Sequence, residues 1–65
     1  MNELPEPAVG EIWLSRYTTG LRVAITETDG LRVRIADLDS RTGIPRPRGR
    51  WCTITRLRLA YVPST

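Results

Sequence analysis

At 65 residues the chain is long enough for one domain only, and a domain of this size buries about 60% of the surface its unfolded form exposes. One cysteine, Cys52, and no histidine exclude an internal disulfide and leave no set of four nitrogen and sulfur ligands for a zinc ion. Ten basic residues, all of them arginine, stand against seven carboxylates and give a net charge of +3.

A lone thiol fits a reducing compartment. No apolar run approaches the ~20 residues needed to cross a bilayer. The start MNELPEPAVG is acidic where a signal peptide is basic and then apolar. A soluble cytoplasmic protein is expected, with no metal or cofactor. A core this small gains from self-association, so a homodimer is one expected form.

Residues 1–8, MNELPEPA, hold two prolines and two glutamates and read as an extended lead-in. The domain proper spans residues 9–62, with a short tail over 63–65. EIWLSRY (11–17) alternates Ile12 and Leu14 with Glu11, Trp13 and Ser15, and Thr18-Thr19-Gly20 breaks it. LRVAITET (21–28) sets Leu21, Val23 and Ile25 on one face against Arg22, Ala24 and Thr26. After Asp29-Gly30, LRVRIADL (31–38) sets Leu31, Val33 and Ile35 against Arg32, Arg34 and Ala36. Period-two alternation rich in β-branched residues and punctuated by glycine is the signature of strands.

The two apolar sets are odd-numbered, so facing partners must have numbers that sum to an even value. A two-residue Asp29-Gly30 turn would set Ile25 against Arg34. A three-residue loop, Thr28–Gly30, ending in a left-handed glycine sets Ile25 against Val33 and Val23 against Ile35. Arg34 then faces Ala24, Arg32 faces Thr26, and Arg22 lies diagonal to Arg34, with Glu27 at one end of the opposite face.

DSRTGIPRPRGR (39–50) is a loop of the length at which function becomes the usual explanation, stiffened by Pro45 and Pro47. WCTIT (51–55) reads as a strand, and RLRLAYV (56–62) as a short turn and a closing strand. Four to five antiparallel strands in so few residues bury a face only by curling on themselves, which predicts an all-β small barrel. Its interior would hold Trp13 or Leu14, then Leu21, Val23, Ile25, Leu31, Val33, Ile35, Ile54 and one of Leu57 and Leu59.

The succession VGEIW, GLRVAITETDG, LRVRIADL and WCTITRLRLAYV, over residues 9–62, resembles the SH3-like small barrels. It is also similar to short uncharacterised proteins of actinobacteria and actinophages with the layout G-x-x-W … R-V-x-V … T-I … R-L … Y. Exclusive use of arginine fits the GC-rich coding of such genomes. The resemblance implies a fold, and the layout suggests a phage or mobile-element accessory protein, but small barrels carry many unrelated functions.

Two arginine groups are candidates for contact with a polyanion. Arg41, Arg46, Arg48 and Arg50 lie in the loop, and Arg22, Arg32 and Arg34 on the outer face of the central hairpin. Each arginine that neutralises a phosphate releases counterions, and its planar fork binds phosphate bidentately. A solvated loop kept polar for solubility, and a hairpin balanced by Glu11, Asp37 or Asp39, are the alternatives. Trp51, on a strand face with Thr53 and Thr55, and Tyr17 are candidate stacking platforms. Cys52 aligns with Ile54 as a small apolar residue, and Asp37 with Asp39 reads as a strand end. No acid–base pair assembles, so no enzyme and no small-molecule substrate is expected. Two functions follow: backbone-directed nucleic-acid binding, or docking on a host protein or on itself through a tryptophan and the arginine loop.

Overall fold

The computed structural model describes residues 6–64. Five antiparallel strands form one sheet: β1 (Ile12–Ser15), β2 (Arg22–Thr28), β3 (Arg32–Asp37), β4 (Arg50–Thr53) and β5 (Tyr61–Pro63). Their order is β4-β3-β2-β1-β5, and the sheet curls around a single core into a small barrel-like fold. A short helix, α1 (Ile54–Ala60), joins the two edge strands.

The core consists of Trp13, Val23, Ile25, Val33, Ile35 and Leu57, with Cys52, Ile54 and Tyr61 packed against it. The odd-numbered aliphatics of β2 and β3 therefore point inward as their alternation requires. On β1 it is Trp13 that enters, while Leu14 stays on the exposed side. The Trp13 indole N–H donates to Glu11 Oε1 (3.2 Å), which satisfies the one polar atom the ring takes inside.

The closing segment departs from the expected strand and turn. Thr53 caps α1, its Oγ1 accepting the Arg56 N–H at 3.1 Å. Ile54 and Leu57, three apart on one helix face, then turn toward the core. Seven residues are too few to form a helix unaided. Here the strands on either side hold both ends, and burial of Leu57 supplies about 1.5–3 kcal/mol. Leu59, on the far face, is exposed. Leu31 is a second departure: it sits in the β2–β3 turn and is 80% exposed rather than internal.

Of the lead-in, residues 1–5 lie outside the described part, as does Thr65 of the tail. Pro7 is buried, and the Ala8 N–H donates to Glu11 Oε1 (2.9 Å). At the other end Pro63 belongs to β5, and the Ser64 N–H donates to the Ile12 carbonyl (2.9 Å). Among the described residues no helix is long and apolar enough to cross a membrane.

Leu57→Ala should cost about 2–5 kcal/mol in urea unfolding, enough to leave so small a domain largely unfolded. Leu31→Ala should change stability by no more than about 0.5 kcal/mol. Equal effects of the two substitutions would contradict this core.

Candidate functional site

The outer face of the β2–β3 hairpin is shaped by one extra residue. Val23 pairs with Asp37, Ala24 with Ala36 and Ile25 with Ile35, after which the register shifts so that Glu27 pairs with Arg34 and Thr28 with Val33. Thr26 is the inserted residue of a β-bulge, and its hydroxyl donates to the Arg34 carbonyl (3.3 Å). The turn is correspondingly Gly30-Leu31, with Gly30 at φ 92°, and not the Thr28–Gly30 loop. Asp29 holds it in place, its Oδ1 accepting the N–H groups of Leu31 (3.0 Å) and Arg32 (2.7 Å). The expected pairing of Ile25 with Val33 is thus two residues off, and the partners assigned to the arginines change with it. Arg34 faces Glu27 and pairs with it at 3.2 Å. Arg22 lies by Leu38, whose N–H donates to the Arg22 carbonyl, well along the ladder from Arg34.

The 39–50 loop folds back over this face. Leu38 bridges to Pro45, the Asp39 N–H donates to the Ile44 carbonyl (3.0 Å) and the Arg46 N–H to the Asp37 carbonyl (2.8 Å). Gly49 then presses on β3 so closely that a Cβ there would stand 2.5 Å from the Ile35 carbonyl oxygen and 3.3 Å from Arg34 Cγ. Only glycine allows that approach. Arg48 beside it adopts φ 66°, a left-handed conformation unusual for a side-chain-bearing residue. The result is an open cleft of about 330 Å³ with Arg34, Arg46, Arg48 and the carboxylate of Glu27 around Thr26, Ala36, Pro47 and Gly49. Ala24 and Ala36, expected on a solvated face, are buried on this side of the sheet.

Trp51 neighbours the cleft through Arg34. Arg34 and Trp51 are direct cross-strand partners, which puts their Cβ atoms about 5 Å apart on one face. Trp51 is 42% exposed, and the Arg32 guanidinium lies 5.0 Å from its ring centroid. Arg32 is itself held by Asp29, with Nε and Nη2 donating to Oδ2 at 3.1 and 2.9 Å. Of the predicted residues, the fold therefore brings together Arg32, Arg34, Arg46, Arg48 and Trp51.

The other predicted residues lie elsewhere. Arg50 points to the inner side of the sheet, where it donates to Tyr61 Oη (2.9 Å) and Asp37 Oδ1 (3.3 Å). Arg22 opens onto a separate cleft with Glu11 and Ser64. Arg41 is exposed on the loop, its backbone N–H bound to Asp39. Tyr17, also exposed, sits on the β1–β2 connection with its hydroxyl 3.4 Å from the Leu59 carbonyl near the end of α1.

Charge around the cleft is only partly cancelled. Arg34 is paired with Glu27, and Arg46 with Asp39 at a loose 3.8 Å, and at this exposure solvent and salt leave either pair little net strength. Arg48 has no ion pair among the described residues. The Arg32 and Leu31 backbone N–H groups, and then the Arg32 side chain, hold the Asp29 carboxyl below the ordinary aspartate value of 3.8. The N–H groups of Arg41 and Thr42 do the same for Asp39. Both therefore stay ionised as fixed anchors for the arginines. Partial burial pushes the Cys52 thiol up, away from the reactive thiolate.

Thr26, Ala36, Gly49 and the anchoring Asp29 and Glu27 are not singled out as site residues by the sequence. Asp29-Gly30 carries a turn signal for one of them. Gly49 carries none, because its role depends on where the loop lands.

Gly49→Ala should destabilise the fold by about 1–3 kcal/mol through the clash with the Ile35 carbonyl, whereas Arg48→Gly should be neutral or slightly stabilising in thermal unfolding. In acid, the turn should be sensitive in a defined sense. Hydrogen bonds to ionised Asp29 contribute stability that is complete above the unfolded-state pKa and is lost as pH falls through the lowered folded value. The Asp29 carboxyl resonance should titrate with a midpoint below that of free aspartate, and Asp29→Asn should remove this part of the acid dependence. A midpoint at or above the ordinary value would contradict the geometry of the turn.

Comparison with protein-family models, with curated proteins and with solved structures finds no match.

Proposed function

We propose that the protein binds nucleic acid through arginine contacts to the phosphate backbone, with little base selectivity. The observation that carries this reading is the convergence of Arg34, Arg46 and Arg48, from a strand and a loop, on one open cleft that adjoins a half-exposed tryptophan. Charge neutralisation supplies the affinity, since each phosphate bound to an arginine frees condensed counterions. The small polar and apolar residues between the arginines leave room for a chain of phosphates. The net charge of +3 is modest, and within the cluster Glu27 and Asp39 offset Arg34 and Arg46, so a phosphate draws on Arg48 first and on the other two by displacing their carboxylates. The resemblance to SH3-like small barrels, and a role as a phage or mobile-element accessory protein, belong to the same reading.

A second reading, docking on a host protein or on a second copy, rests on the open sheet edges. β4 and β5 end the sheet and do not pair with each other, and Trp51 stands on β4. An extended segment added along β4 would meet the indole. A dimer in light scattering that buries Trp51, combined with no nucleic-acid binding, would favour this alternative.

The test of the first reading is titration of labelled oligonucleotides over a range of salt. Affinity should fall steeply as salt rises, and Arg34→Gln, Arg46→Gln and Arg48→Gln together should reduce the slope of log affinity against log salt by about 2. Arg56→Gln, which removes one positive charge from the exposed side of α1, should leave the slope nearly unchanged, whereas each single cleft substitution should lower it by about 0.7–0.9. Absence of binding at low salt, or indifference to the triple substitution, would sink the proposal.

A further inference from the structure

Trp51 and the arginine cleft are adjacent in a way that selects the form of nucleic acid, an inference that rests on the reading above. Arg34 lies directly across from Trp51 and also lines the cleft, so an aromatic face and a phosphate site are one cross-strand step apart. That step, about 5 Å between Cβ atoms, is the scale on which a nucleotide's base is separated from its own phosphate. The Arg32 guanidinium covers one face of the indole and is tied to Asp29 by two hydrogen bonds. The guanidinium therefore biases the ring plane before any ligand arrives, and the surface the ring still exposes is the remaining face and edge. Such a bias lowers the ordering cost of a stacked complex.

In a duplex the base faces are stacked on one another, and an indole gains one only by unstacking a step against the stability of the helix. The helix that would enter a major groove in many duplex readers is here seven residues long and turns Leu57 into the core. We infer that the ligand is single-stranded nucleic acid, one base of which stacks on the open face of Trp51 while the neighbouring phosphates lie against Arg34, Arg46 and Arg48. Arg32 acts as the positioning residue for the ring.

The chain suits a direct test, because Trp13 is only 4% exposed and a ligand-induced change in tryptophan emission reports Trp51. Oligodeoxyuridylate and oligouridylate of about 12 nucleotides, within the site size of one small barrel, would be titrated beside a duplex of the same length at low salt. Either or both single strands should quench the emission and bind more tightly than the duplex, and the two together show whether the sugar matters. Trp51→Ala should lower single-strand affinity by about 5- to 100-fold and leave duplex affinity unchanged. Trp51→Phe, which keeps an aromatic face, should retain most of the binding. Circular dichroism would show that both variants fold, and the quench in the unsubstituted protein stands independently of them. Equal or tighter binding to the duplex, or single-strand binding without a quench, overturns this inference while leaving the phosphate-contact reading in place. Absence of binding to all three probes overturns both.

Discussion

One inserted residue in β2 decides which side of this sheet is charged and what stands opposite what. Without the bulge at Thr26, the register set by the two-residue turn at Gly30-Leu31 would run on unbroken and place Ile25 opposite Ala36. Every inward side chain of β2 beyond that point would then face an outward one of β3. The bulge shifts the register by one, so Ile25 meets Ile35 and Ala24 meets Ala36. A one-residue slip reverses the faces of a strand, and here the slip is absorbed locally. Because two residues of β2 then oppose Arg34, Glu27 reaches its guanidinium, and Thr26 and Ala36 form the low ground between that arginine and the loop.

The same register explains how a weakly basic protein concentrates its charge. Asp29, Glu27, Asp39 and Asp37 each take one arginine: Arg32, Arg34, Arg46 and Arg50 respectively. These pairs do different things. Arg50 lies on the inner side of the sheet, joining β4 to β3 and to Tyr61, and is part of the architecture. Asp29 orients Arg32 over Trp51. Glu27 and Asp39, both at the rim, hold Arg34 and Arg46 only loosely in solvent, since exposed pairs are worth little and are screened by salt.

Much of the fold is legible because alternation with period two needs no tertiary information. Val23, Ile25, Val33 and Ile35 follow from it, as does a sheet of four to five strands that must curl. The helix is not legible in the same way. Thr53 followed by Ile54 and Leu57 does carry a cap and a three-residue spacing, but WCTIT continues the strand alternation, and a seven-residue helix gains its stability from the core it reaches rather than from its own propensity. Leu31 misleads for a related reason: it keeps the parity of the strand while belonging to the turn. At the site, residue types point to arginines and Trp51, but not to which arginines meet. Arg46 and Arg48 reach Arg34 only because Gly49 lets the loop touch β3, whereas Arg50, next in sequence, turns to the other side of the sheet.

Arg48 gives the clearest sign of where stability and function part. A side chain at φ 66° costs on the order of 1 kcal/mol relative to glycine, and the loop already uses glycine at the next position. Among the described residues no carboxylate pairs with Arg48, so no ion pair there offsets the strain. In a domain whose stability is marginal for its size, such a cation at the mouth of a cleft weakens the free protein. Strain of this kind clusters where a ligand is held. Under the proposed reading, a phosphate lying between Arg34, Arg46 and Arg48 would supply the missing counter-charge, and the conformation of Arg48 in the free protein would be a preparation for the bound one.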